Sequence, residues 1–112
     1  MFDFLKRLWG IPPSPFATRL QAAQRMYEVS QKDSALRELV QDAAAAGDLG
    51  MVRQALDAIY DVNARSTAGY DAALQLAQAG DVTGAMATAQ RIYDTELRDK
   101  ALAKIAEGSK AV

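Results

Sequence analysis

Apolar positions along this chain recur three and four residues apart, the spacing of one face of an α-helix. Leu36, Leu39, Val40 and Ala43 form one such stripe, and Leu49, Val52, Leu56 and Ile59 form the next. Val82, Ala85, Ala89 and Ile92 form another, and Phe16, Leu20, Ala23 and Tyr27 precede them all. That earliest stripe opens with Ser14 as N-cap and Pro15 at the first helical position, where a missing N–H costs nothing. The pattern predicts helices near residues 2–9, 15–29, 33–46, 49–60, 63–79, 82–93 and 96–107. Val, Ile and Thr are too sparse and scattered for strands. The expected fold class is all-α.

The stripes repeat. Stepping 33 residues carries Gly47-Asp48 onto Gly80-Asp81 and Ile59-Tyr60-Asp61 onto Ile92-Tyr93-Asp94. Ala35, Ala44 and Ala46 fall on Ala68, Ala77 and Ala79. Arg25-Met26-Tyr27-Glu28 extends the pattern backward, and "RDKALAKIA" from Arg98 repeats "KDSALRELV" from Lys32. The chain therefore holds two full units with a half unit on either side. Each unit reads as two helices. Glycine tolerates the left-handed conformation that closes the first, and the following aspartate caps the second. Asp61 and Asp94 stand either as caps of the next helix or as i,i+4 partners of Arg65 and Arg98, and Glu28 and Lys32 share that spacing. A single pair of this size cannot bury its apolar face, so pairs must stack. This predicts a short α-solenoid of antiparallel helix pairs over residues 15–112.

Composition narrows the chemistry. At 112 residues one domain is expected. Half the residues are apolar but only 7% are aromatic. Alanine carries much of the balance, which suits closely packed helices. The net charge of −1 provides no field for nucleic acid, so no nucleic-acid partner is expected. The chain has no cysteine and no histidine, which removes thiolate metal sites, the commonest metal ligand and the commonest general base. No enzyme activity, metal or cofactor is expected. No apolar run reaches the ~20 residues of a membrane-spanning helix. The start "MFDFLKRLWGIPPSPFA" makes a poor secretory signal, with Asp3 in the basic region and Lys6 and Arg7 interrupting the apolar run. A cytoplasmic location is expected.

"AQAGDVTGAMATAQRI" resembles the hinge and second helix of a tetratricopeptide repeat, with Gly80-Asp81, then apolar Val82, small Ala85 and apolar Ala89. The preceding unit offers Gly47-Asp48, Leu49, Val52 and Leu56 in the same places. The likeness covers about Ala17 to Ala106. It departs in its period of 33, against 34 in the family. The early tryptophan is replaced by Leu36, Gly69 and Leu102, the late tyrosine by Ala43 and Leu76, and the proline before each repeat is missing. The chain is therefore tetratricopeptide-like. The resemblance implies a right-handed superhelix and a protein-binding scaffold. Chaperone-binding members hold a C-terminal carboxylate in a Lys/Arg/Asn cluster, which this chain does not carry.

Candidate residues follow. Asp48 and Asp81 read as helix caps rather than as an acid/base pair. Tyr27, Tyr60 and Tyr93 are expected to pack between successive units, with each hydroxyl at the edge. Tyr70 breaks the repeat, standing where Arg37 and Ala103 stand. By the family's geometry first-helix side chains line the concave face. Arg37, Gln41, Tyr70, Leu74 and Lys104 are therefore the expected partner-contacting strip.

Residues 1–10 form an amphipathic segment, joined to the rest by the Pro-rich linker 11–14. Wound as a helix, it gathers Phe2, Leu5, Leu8 and Trp9 on one side, opposite Asp3, Lys6 and Arg7. It reads as a cap on the first half unit, as a docking segment for a partner or second copy, or as a membrane-surface contact, the last being weakest. The leading functional expectation is a non-catalytic protein–protein interaction module or assembly adaptor that takes a protein or peptide partner. The alternative is a peripheral membrane or self-assembling scaffold acting through residues 1–10. Homo-oligomers through the exposed half-unit ends fit either reading.

Small residues Ala68, Gly69, Ala72 and Ala73 leave room for another backbone to come close. Ala72→Leu should overpack that contact and cost roughly 1–3 kcal/mol. An unchanged melting temperature would contradict it.

Overall fold

The computed structural model describes residues 15–110. Six helices follow one another: α1 (Pro15–Gln24), α2 (Val29–Ala45), α3 (Leu49–Ala58), α4 (Val62–Gln78), α5 (Val82–Gln90) and α6 (Thr95–Lys110). No strand occurs among the described residues. The expected helix at 2–9, the linker at 11–14 and the Ser14 cap lie outside them.

Two kinds of turn alternate. The first closes α2 and α4. Gly47 and Gly80 take φ of 75° and 94°, the left-handed region that a residue with a Cβ enters only with strain. That twist lets Asp48 N–H donate to Ala43 O and Asp81 N–H donate to Leu76 O, both at 2.9 Å. Gly47 and Gly80 N–H groups reach Ala44 O and Ala77 O, which completes a Schellman closure at each site. The aspartates then turn to the next helix. Asp48 Oδ1 accepts from Met51 N–H at 3.0 Å and Asp81 Oδ1 accepts from Gly84 N–H at 2.8 Å. Helix end and helix start thus share one Gly-Asp pair.

The second kind of turn differs from the expectation. Helical spacing carried the second helices through Tyr27, Tyr60 and Tyr93, but α1, α3 and α5 stop at Gln24, Ala58 and Gln90. Ile59 (ψ 124°) and Asp61 (ψ 122°) are extended. Extended residues alternate sides. Ile59 turns into the core at 1% exposure while Tyr60 turns out at 77%. The acidic residue that follows is a cap and not an i,i+4 partner. Asp61 Oδ1 accepts from Ala64 N–H and Asp94 Oδ1 from Leu97 N–H, each at 3.0 Å. Glu28 does the same for α2, accepting from Ser30 and Gln31 N–H groups, so α2 begins at Val29 and not near residue 33. The Ser30 hydroxyl and these backbone bonds hold the Glu28 carboxyl below the ordinary glutamate value. A depressed folded pKa means that this cap contributes at neutral pH and is lost as pH falls through that value.

The helices assemble by pairs. α2 packs on α3 and α4 packs on α5, while α2, α4 and α6 pack side by side. The shortest dimension, 15 Å, leaves room for two layers of helix. This matches interaxial spacings of about 8–10 Å plus a Cα radius of about 2.3 Å on each side. One apolar cluster runs through the molecule from Leu20 to Ile105. Leu36, Leu39, Val40, Val52, Ile59 and Leu76 are its largest fully buried apolar side chains. Alanines fill the space between them, with Ala43, Ala55, Ala68, Ala72, Ala73, Ala85 and Ala89 wholly covered. Gly69 lets the α5 exit come close: a Cβ there would stand 3.2 Å from Ile92 Cγ1.

A buried carboxylate ties the layers together. Asp33, near the start of α2, accepts from Tyr60 N–H at 2.9 Å and from Asp61 N–H at 3.0 Å. Those two donors lie in the extended turn between α3 and α4, beyond the reach of either helix's own bonds. Ser66 stands 33 residues later and takes the Asp94 N–H at 3.4 Å with its hydroxyl. Asp33→Ala strands two partly buried donors and should cost about 1–3 kcal/mol in a denaturant melt. A loss within experimental error would show that water replaces the carboxylate freely.

Candidate interaction surface

The five residues expected to form a strip lie on the layer of α2, α4 and α6. Arg37 and Gln41 are on α2 and exposed, Tyr70 and Leu74 are on α4 and half-buried, and Lys104 is on α6 and exposed. The structure brings Tyr70 and Lys104 together. Lys104 Nζ lies 6.0 Å from the Tyr70 ring centroid and Lys100 Nζ lies 5.8 Å from it. Arg37 meets a different neighbour, with its Nη2 3.8 Å from Asp71 Oδ2. These contacts are related. Arg37 and Tyr70 stand 33 residues apart, and so do Asp71 and Lys104. One place in the stack therefore holds an ion pair at the first step and a cation over a ring at the second. Tyr70 breaks the repeat because its counterpart carries the opposite charge to Asp71. Sequence reasoning missed Lys100, although its i,i+4 spacing from Lys104 puts both on one helix face.

Tyr27, Tyr60 and Tyr93 do not pack between successive helix pairs. They are 100%, 77% and 79% exposed. Each follows a residue that ends a helix in extended backbone, so the aromatic ring faces water while its neighbour goes inward. The buried places expected for the tyrosines belong to Ile59 and Ile92. Val29 and Val62, two residues beyond Tyr27 and Tyr60, are exposed as well. Near the third tyrosine an open groove of about 620 Å³ runs from Val62 and Ser66 to Tyr93 and Thr95. The result is a row of aromatic side chains along one kind of turn, each on backbone held by an adjacent cap.

A smaller cleft of about 270 Å³ opens between α3, α4 and α5, lined by Leu56, Arg65, Gly69, Thr88 and Ile92. Arg91 and Asp57 pair at its edge. Arg65 Nε is buried there without a hydrogen-bond partner. Thr88 gives its hydroxyl proton to Gly84 O at 2.8 Å, inside its own helix. Sequence reasoning treated Arg65 only as a partner for Asp61, and nothing local marked it as part of a cleft.

Asp48 and Asp81 are occupied as caps. Phe2, Leu5, Leu8 and Trp9 lie outside the described residues. Among those described, no helix is long and apolar enough to cross a membrane. Compared with models of protein families, with curated proteins and with solved structures, the chain matches none of them.

Tyr70→Leu keeps apolar bulk and removes the ring face from both lysines. It should cost about 0.5–1 kcal/mol, the worth of a cation–π contact at an exposed site. Tyr70→Phe should cost less. A loss above about 3 kcal/mol for Tyr70→Leu would instead mark the position as core.

Proposed function

We propose that this chain is a non-catalytic protein-interaction module, a short tetratricopeptide-like solenoid that presents side chains from successive helix pairs to a protein or peptide partner. The observation that carries the reading is the exposed row of Tyr27, Tyr60 and Tyr93, one per 33-residue step. Three tyrosines facing water at equivalent turns are an unusual use of a residue that covers large area at low entropic cost, and tyrosine is enriched among interface anchors. Their backbone is ordered in advance by the buried isoleucines and the aspartate caps, so less ordering is left to a binding event. The side-by-side packing of α2, α4 and α6 and the paired Gly-Asp closures support the solenoid reading. The Arg37–Lys104 strip is a second surface of the same module, with its charges partly engaged by Asp71 and Tyr70.

The test compares wild type with a Tyr27→Ser, Tyr60→Ser, Tyr93→Ser triple variant and with an Arg37→Glu, Lys104→Glu variant. The exposed triple variant should keep its fold. It should lose a partner that binds purified wild-type chain directly. Loss only in the charge variant would move the site to the strip. Retention of all binding by both variants would overturn the reading.

A further inference from the structure

The two ends of the helix stack are complementary to each other. α1 occupies the place of a second helix with no first helix beside it, and α6 that of a first helix with no second. This follows from the 33-residue correspondence and rests on the stacking reading above. On α1, Thr18, Ala22 and Met26 are exposed. Their counterparts Met51, Ala55 and Ile59 in α3 and its exit, and Gly84, Thr88 and Ile92 in α5 and its exit, are all buried. On α6, Asp99 and Ala106 are exposed and Leu102 is half-buried, whereas Asp33, Val40 and Leu36 are buried. Each end thus displays a copy of an interior face.

The polar groups match as well. Asp33 accepts from the N–H groups of Tyr60 and Asp61. Asp99 is the counterpart of Asp33 in α6, and its carboxylate has no hydrogen-bond or ion-pair partner among the described residues. Tyr27 and Glu28 are the counterparts of Tyr60 and Asp61, and their N–H groups donate to nothing among the described residues. One end therefore carries an unused acceptor pair and the other an unused donor pair, in the register already used inside the molecule.

We infer that the chain associates head to tail with a second copy: α6 of one molecule pairs with α1 of the next, and Asp99 accepts from the N–H groups of Tyr27 and Glu28 of that second copy. The interface is the α2–α3 packing repeated between molecules. Its two surfaces differ, so it is heterologous and continues into a filament, or into a ring where the rotation closes. The tyrosine row then continues across the junction, since Tyr27 of the next copy takes the step after Tyr93.

Sedimentation of the 112-residue chain tests this. Wild type should gain mass steadily with concentration, beyond a dimer. Ala22→Arg blocks the α1 face and Ala106→Arg blocks the α6 face, both at exposed positions, so each variant alone should stay monomeric. Their mixture retains one good end of each kind and should give a 1:1 dimer and nothing larger. Asp99→Ala should weaken wild-type association about tenfold, the loss of roughly two hydrogen bonds to a charged group partly replaced by water. A wild-type monomer up to about 1 mM, a dimer formed by either arginine variant alone, or a mixture that stays monomeric would overturn the proposal. So would a monomer that associates only after residues 1–10 are removed, which would make Phe2–Trp9 the cover of α1. None of these results touches the tyrosine test, whose readout is capture of a different protein by a stable variant.

Discussion

The three-residue passage from one helix pair to the next is the constraint on which the rest of this structure depends. Ile59-Tyr60-Asp61 must leave a helix, cross to the other layer and begin a new helix without stranding backbone donors. Asp33 meets that need by accepting both N–H groups in the middle of the passage. With those donors satisfied the backbone stays extended, and its alternation sends Ile59 inward, Tyr60 outward and Asp61 onto the next helix end. One buried carboxylate therefore couples core packing, the aromatic row and the helix start. At the next passage Ser66 takes a single, longer bond from Asp94 N–H. There Ile92, lying over Gly69, carries more of the positioning.

Short side chains set how closely the layers approach. Ala72 and Ala73 of α4 have no exposed surface, and Gly69 beside them has contact distance only to Ile92 and Leu56. Small residues gain little transfer free energy each, so stability rests on many close contacts rather than a few large ones. The charged pairs add little to this. Arg19–Asp42, Arg37–Asp71 and Arg91–Asp57 are each more than a third exposed, where screening leaves about 0–1 kcal/mol per pair. Their geometry matters more: all three link one helix to a later one, and none is an i,i+4 pair. They bias register between neighbours and do not stiffen single helices.

A stack of this kind has edges and ends that a closed globule lacks. The edge is where the passages surface, and it carries the tyrosines. The ends are where interior faces run out, and they carry Ala22, Met26, Asp99 and Ala106. Both features come from one rule. Each pair covers its neighbour's apolar face, so whatever stands at the last pair waits for a cover. The edge presents itself to other molecules, and the ends present themselves to a copy of the same chain.

The amino-acid sequence by itself determined the all-α class, the Gly-Asp closures and the capping role of Asp48 and Asp81. These are local matters. A positive φ selects Gly47 and Gly80, and a free helix start selects a carboxylate a few residues away. Tertiary structure alone decided that α1, α3 and α5 stop before their tyrosines. That stop depends on Asp33, 27 residues from Tyr60 along the chain, and a helical period extrapolated through the stop turns every following side chain to the wrong side. The same distance in sequence hid the Arg65 cleft and the two lysines over Tyr70, because each joins residues from separate helices. A sequence displays what a residue does to its own few neighbours, while exposure and partnership are properties of packing, which settles only when the helices meet.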